Sequence, residues 1–226
     1  MTTGRLAILA LGIGGLLLAT DETGPSVQIT NTERLPFPAG GALHVKSWYG
    51  ELEVEGWNEP EIELTAVRTA PFGSDESARS KLEKVRIAME RQGQEVTIST
   101  TLARGAGQPA LDYRIRMPRD GSLRVDRGSG EVYVTDVAGD IRTAVLQGEI
   151  SLFLPAEEQY TIDAKSKLGS VVSDFSGQWR RTLWLFGHDF SAAPLTAAHK
   201  VYLRAGFGDI LVLKSNRPAE PRPLGQ

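Results

Sequence analysis

The chain of 226 residues contains no cysteine, which excludes disulfides, thiolate metal sites, a cysteine nucleophile and the cysteine-linked lipid anchor of bacterial lipoproteins. Histidine is scarce. His44, His188 and His199 lie far apart and in no metal-ligand spacing, so each reads as a solvated or partly packed side chain rather than a ligand or general base. Aromatic residues make up 7% of a chain that is 41% hydrophobic, so the core must rest on aliphatic side chains. Neither sign of charge dominates: 25 Lys and Arg stand against 28 Asp and Glu, for a net charge of −3. The basic residues are scattered among acids, with no stripe to neutralise phosphates, and a nucleic-acid partner is not expected. No Gly-x-Ser-x-Gly elbow, phosphate loop or zinc motif occurs. Nucleophilic and phosphoryl-transfer chemistry therefore lack a candidate, and no catalytic residue, cofactor or metal is expected.

Long apolar runs are also lacking, apart from residues 6–19, which follow Arg5 and precede Asp21, Glu22, Gly24 and Pro25. Residues 1–24 read as an export signal or N-terminal anchor, placing the protein in the periplasm or on the cell surface. Leu17 stands where a cleavage site after Ala19 wants a small residue, which keeps an uncleaved anchor in play. As a helix the run spans roughly 21 Å, short of a bilayer core of about 30 Å, so association with the membrane does not require full spanning. Residues 216–226 are proline-rich and read as a disordered tail. Between these ends no linker divides residues 25–215, which read as one β-repeat domain.

What the chain does have is a motif recurring every nine residues, beginning at Gly121, Gly130, Gly139 and Gly148. Two and four positions after each glycine stand Leu123 and Val125, Val132 and Val134, Ile141 and Thr143, and Ile150 and Leu152. Polar residues fill the places between: Ser122 and Arg124, Glu131 and Tyr133, Asp140 and Arg142, Glu149 and Ser151. Each unit is thus a short alternating strand with a turn behind it, and no unit can bury its apolar face alone. Glycine suits the turn because it can take positive φ or let a neighbouring unit approach. The pattern is echoed upstream at Gly41 and Gly50, through Leu43, Val45, Leu52 and Val54. Downstream it returns from Tyr160 to Gly169 and from His199 to Gly208, with Val201, Leu203, Ile210 and Val212 inward.

A less regular stretch separates the first echo from the main block. Ile62 and Leu64 mark a strand, and Ser74, Asp75 and Glu76 suit the cap and acidic first turn of a short helix with Ala78, Leu82 and Val85 on one side. Val85, Ile87 and Met89, then Val96 and Ile98, alternate around Gln92, Gly93 and Gln94 as a hairpin. After a loop over 103–110, Leu111, Tyr113, Ile115 and Met117 point one way. The expected fold is all-β: a right-handed β-solenoid-like stack in which two nine-residue units make a coil, with a two-sheet antiparallel sandwich as the alternative.

The units at Gly50, Gly130, Gly139, Gly148 and Gly208, together with the run from Leu111 to Pro118, resemble the DUF4097-type bacterial proteins, a family named for adhesins, over roughly residues 27–214. The resemblance implies a right-handed β-solenoid-like fold, an exported location and no catalytic residues. The segment from Trp179 to Phe186 departs from the family's cleanest pattern.

The acids that follow glycines, Glu51, Glu131, Asp140, Glu149 and Asp209, invite comparison with calcium-binding nonapeptide rolls, but those rolls place the acid two positions after its glycine. Here the acid follows directly, and these side chains read as water-facing. Asp126, Asp136 and Asp163 are the only carboxylates worth weighing for polysaccharide-lyase chemistry, and they fall at different offsets from the repeat start. The partner-binding candidates are the aromatics Trp48, Tyr49 and Trp57, with Trp179, Trp184 and Phe186 behind them; they either stack on sugars or anchor a protein, or else cap the ends of the core. The function expected is a non-enzymatic exported envelope protein, an adhesin-like surface scaffold binding protein or polysaccharide. The alternatives are a regulatory or sensory envelope protein acting through a protein partner and, third, a polysaccharide-acting enzyme.

Overall fold

The computed structural model describes residues 27–70, 75–182 and 187–215. Residues 1–24, read as an export signal or anchor, Ser74, read as a helix cap, the aromatics Trp184 and Phe186, and residues 216–226, read as a tail, lie outside the described residues.

The chain begins with β1 (Val27–Pro36), β2 (Ala42–Ser47), β3 (Glu51–Trp57) and β4 (Glu61–Ala70), followed by the helix α1 (Asp75–Glu83). There follow β5 (Val85–Gln92), β6 (Glu95–Leu102), β7 (Ala110–Pro118), β8 (Ser122–Ser129), β9 (Glu131–Thr135), β10 (Ile141–Gln147) and β11 (Ile150–Pro155). The remainder is β12 (Tyr160–Leu168), β13 (Val171–Ser173), β14 (Gln178–Thr182), β15 (Gly187–Ala192), β16 (His199–Phe207) and β17 (Ile210–Ser215). They form an eight-stranded sheet, ordered β1-β4-β7-β3-β9-β11-β17-β13, and a nine-stranded sheet, ordered β14-β15-β12-β16-β10-β8-β2-β6-β5.

The alternation read from the sequence decides which face of each strand is buried. Leu123, Val125, Val132, Val134, Ile141, Thr143, Ile150 and Leu152 are all buried between the sheets, as are Leu43, Val45, Leu52, Val54, Val201, Leu203, Ile210 and Val212. Each large aliphatic side chain so buried contributes about 1.5–3 kcal/mol. On the outside Glu131, Asp140, Arg124 and Arg142 are exposed, whereas Ser151, read as outward, is buried. It is short, stands in a central strand and donates to Glu149 Oε1 at 2.8 Å, so longer neighbours cover it.

Consecutive strands of each repeat go to opposite sheets, and the pairs stack in one order in both: β6–β7, β2–β3, β8–β9, β10–β11, β16–β17, β12–β13. Neighbours within this stack are parallel. This fits the two-sheet alternative in part and departs from a simple succession of solenoid coils. The stacking order is not the chain order, so the units do not climb as a simple succession of coils; and the two sheets of the sandwich alternative are present but antiparallel only at their margins. There β4 and β1 extend the eight-stranded sheet beyond β7, β5 continues the nine-stranded sheet past β6, and β15 with β14 does so past β12. Antiparallel strands thus close both ends of the nine-stranded sheet and one end of the eight-stranded sheet, whose other edge is the short β13. Where the segment from Trp179 departs from the repeat pattern, the described residues form β14, paired antiparallel with β15.

One corner of the stack is a column of glycines. Gly130 and Gly148 take φ of 107° and 141°, and a Cβ on either would lie 1.9–2.0 Å from the carbonyl oxygen of the glycine in the adjoining unit, Gly50 or Gly130. Both the backbone angle and the contact exclude a side chain. Helix α1 lays Ala78 and Leu82 against Ala70, with Val27 and Ile29 alongside. Val85, read as the last of that helical face, is instead the first residue of β5. The Gln92–Gln94 turn carries Gly93 at φ 62° between β5 and β6, as the hairpin pattern requires.

Candidate functional site

The sequence-flagged aromatics are dispersed. Trp48 follows the last residue of β2 and faces outward from the nine-stranded sheet, 69% exposed, its indole edge beside Gly128. Tyr49 turns the other way and packs against the core; burial raises its phenol pKa. Trp57 lies at the far end of β3, its N–H donating to the Glu61 carbonyl at 2.9 Å and its ring flanked by Arg34 and Arg116 at 6.0 and 5.9 Å. Trp57 is therefore not part of one site with Trp48. Trp179 sits 4.5 Å from Phe190, where β14 and β15 extend the nine-stranded sheet past the end of its partner sheet, and covers the end of the core.

Trp57 does line a spacious cleft of about 760 Å3, shared with Phe37, Pro60, Pro118, Pro155 and the turn residues between them. Arg119 and His199 stand in it, 3.9 Å from Glu157 and Glu158 respectively. His199 lies beside Tyr160 at 6.0 Å between ring centres; burial, then Glu158 and Glu157, raise the Tyr160 pKa.

Of the acids that follow glycines, four form a column on the eight-stranded sheet, while Asp140 stands before β10 of the other sheet and accepts from the Lys200 N–H at 2.8 Å. Glu51 pairs with Glu131, and the chain places Glu149 and Asp209 beside them in turn. Three are tied locally: the Tyr133 hydroxyl donates to Glu131 at 2.7 Å, the Ser151 hydroxyl to Glu149 at 2.8 Å, and the backbone N–H and hydroxyl of Ser170 to Asp209 at 2.7 and 2.9 Å. Glu131 pushes the Tyr133 phenol up to about 12, and Ser170 holds the Asp209 carboxyl below its ordinary range. Among the described residues no group of three His, Asp or Glu is placed to hold a metal ion.

Asp126, Asp136 and Asp163 do not meet. Asp126 and Asp163 face outward on β8 and β12, which β10 and β16 separate, while Asp136 is buried in the turn after β9 at φ 58° and accepts from Ser215 Oγ at 3.0 Å. The histidines are likewise apart: His188 Nδ1 is 2.8 Å from the Gly169 carbonyl, and His44, nearly buried, donates through Nε2 to Asp126 Oδ2 at 2.7 Å. Burial alone would raise the Asp126 pKa; His44 and Arg124 outweigh it, and the group is held low.

What sequence reasoning missed is the outer face of the nine-stranded sheet. Read across the strands, one row runs His44, Arg124, Arg142, Tyr202, Asp163, and the next Lys46, Asp126, Ala144, Arg204, Lys165, Asp189. Basic residues scattered in the chain are thus gathered on one face, interleaved with Asp126, Asp163 and Asp189. The signal was in the spacing, since Arg124 and Arg142 stand two nine-residue units apart. Ion pairs tie Arg124 to Asp126 at 2.9 Å, Arg204 to Asp163 at 2.7 Å and Lys165 to Asp189 at 3.1 Å. Tyr202 is taken up by Arg204 and Arg142, 3.6 and 5.0 Å from its ring centre.

No family model and no curated protein sequence matches the chain. Among solved structures, that of "a putative cell adhesion protein" from Clostridium sporogenes is 13% identical, with a TM-score of 0.52 over 83% of this chain and 100% of that one. "Putative lipid binding protein" and "putative adhesin" structures from Parabacteroides distasonis, 6% and 9% identical, cover 83% and 81% of this chain and 97% of each of theirs, each with a TM-score of 0.24. The Clostridium structure shares the fold of this chain, a nearly all-β body of two mixed sheets, and that likeness stands at the level of fold.

Proposed function

We propose that this protein is a non-enzymatic, exported binding scaffold of the cell envelope, adhesin-like in that it presents a broad, rigid outer surface to protein or polysaccharide. In this reading residues 1–24 direct export or anchor the chain, residues 25–215 form the binding domain as a solenoid-like stack, and residues 216–226 are a tail. The observation that carries it is the exposed apolar pair on the outer face of the nine-stranded sheet: Trp48 and Leu146, on either side of Gly128, keep 69% and 65% of their surface open on an otherwise charged face. Large apolar side chains gathered at one place mark a contact surface. The fold it shares with the Clostridium structure named for cell adhesion accords with this. The separation of Asp126, Asp136 and Asp163 removes the lyase constellation considered from the sequence, because acid and base must reach one substrate atom together.

The Trp57 cleft favours a second reading, a sensory envelope protein whose partner inserts a peptide among Phe37, Trp57 and the prolines. Fractionation of cells expressing the tagged full chain, followed by capture of envelope protein and glycan, tests both. Recovery in the cytosol with an intact N-terminus overturns the envelope assignment. Capture abolished by Trp48→Ala supports the scaffold surface, whereas capture of a protein abolished only by Trp57→Ala moves the function to the cleft.

A further inference from the structure

The outer face of the nine-stranded sheet also holds a groove of about 340 Å3. Its floor is Ala144 and Gly206, which raise little or no side chain, and Leu146 forms an apolar wall, leaning over Gly206. Arg204, Lys165 and Lys167 stand around it, with Asp126 at one side. Trp48 lies on the same face beside Gly128, and from β2 to β12 the face spans four strand spacings, about 19 Å. Lys46, Arg142, Lys167 and Lys200 are exposed and make no ion pair among the described residues.

We propose that this face binds an acidic polysaccharide, with one uronic-acid residue seated in the groove; the inference rests on the reading of the protein as a binding scaffold. A pyranose ring has an apolar C–H face and a polar rim. The groove is its complement, with Leu146 and Ala144 against the C–H face and Lys165, Lys167 and Arg204 around a carboxylate. Charge-assisted contacts to a carboxylate are stronger than neutral ones, and Trp48 supplies a flat ring for a further sugar to stack on. The pattern of charge selects the class of polymer. Cations alternate with Asp126, Asp163 and Asp189, and these carboxylates accept hydrogen bonds from sugar hydroxyls while repelling an evenly charged phosphate backbone. Single-stranded nucleic acid is held by open aromatic platforms, and Tyr202, the ring central to this face, is already covered by guanidinium groups.

The test is titration of the full chain, at about 0.1 M salt where the Debye length is about 10 Å, with polygalacturonate, its fully methyl-esterified form, chondroitin sulfate and a single-stranded oligonucleotide. Binding to an acidic glycan, weakened at least tenfold by methyl esterification and by the pair Arg142→Glu and Lys167→Glu, is the expected result. Both positions are exposed, and an unchanged melting temperature shows that the variant is folded. Glu149→Lys, on the opposite sheet, leaves the affinity unchanged. Failure to bind either acidic glycan, equal affinity for the methyl ester, or tighter binding of the oligonucleotide overturns the inference. If Arg142→Glu and Lys167→Glu together leave capture of envelope material intact, this site is refuted and the scaffold reading survives.

Discussion

At the scale of single residues the least expected finding is a charge inside. The alternation of β8 carries Arg127 to the inner face, where it is 6% exposed; its Nε donates to the Ser129 carbonyl at 3.0 Å, while Nη1 and Nη2 find no partner among the described residues. Burial lowers its pKa to about 10, against the attraction of Tyr113, Asp112 and Glu51. A cation whose native pKa is depressed costs stability at all pH values below that pKa, and the cost fades only as pH rises from about 10 toward the ordinary arginine range. Arg127→Met is therefore expected to stabilise the fold at neutral pH, by roughly 1–4 kcal/mol as for other buried ions replaced by apolar side chains; a lower denaturant midpoint in the variant would contradict this. Asp126 behaves in the opposite sense. Its lowered pKa means that the bonds with His44 and Arg124 stabilise the protein above the ordinary carboxylate range and are lost as pH falls through the native pKa. Asp126→Asn should melt below wild type at neutral pH, with the gap closing on acidification, as thermal scans across pH would show. Neither residue was legible as a structural group: Arg127 obeys the period but violates hydrophobicity, and the contact between His44 and Asp126 joins strands far apart in sequence.

Strand by strand, the sequence was far more transparent. Period-two alternation identified the buried face of β2, β3, β8, β9, β10, β11, β16 and β17, because burying one face leaves a strand no freedom to slip by a residue. Ile141→Asp or Val132→Asp is accordingly expected to unfold the protein, since both sites are at most 1% exposed and an unpaired carboxylate there costs several kcal/mol. Arg142→Gln and Glu131→Gln, one residue away, should leave the melting temperature within a few degrees. The glycines separate in the same way. Gly148→Ala meets both a φ of 141° and the Gly130 carbonyl, whereas Gly93→Ala meets only a φ of 62° with open space around it. The second should cost about 1–2 kcal/mol and the first clearly more, measured by chemical denaturation of the two variants. What alternation could not reveal is which strand lies beside which. Every unit presents the same inward pair, so any two could be neighbours in register, and nothing local distinguishes β3 beside β9 from β3 beside another repeat. The outer rows were hidden for the same reason, since a row of charges exists only once neighbours are known.

That neighbour order decides how the whole molecule behaves. In an array whose repeats stack in chain order, each repeat touches only the next, stability is nearly a sum over units, and terminal units can be removed or can fray alone. Here β16–β17, the last pair in the chain, lies between β10–β11 and β12–β13, and β2–β3 lies between β6–β7 and β8–β9. The two outermost pairs of the parallel stack, β6–β7 and β12–β13, are thus neither the first nor the last pair along the chain. Removing residues 199–226 would take the parallel partner of β10 and β12 in one sheet, and of β11 and β13 in the other. The buried rows of Ile141, Ile150, Ile162 and Val171 would then lose their neighbours at once. The truncated chain is expected to be unfolded, not a shortened stack, and the intact chain to unfold in one step. Tryptophans report on both ends, Trp48 and Trp57 in the β2–β3 pair and Trp179 on β14. Single-tryptophan variants should therefore share one denaturant midpoint with the far-ultraviolet circular dichroism, as two-state unfolding requires. A Trp179 midpoint well below that of Trp57, or a folded truncation lacking residues 199–226, would show that the pairs act as independent repeats in spite of their interleaved order.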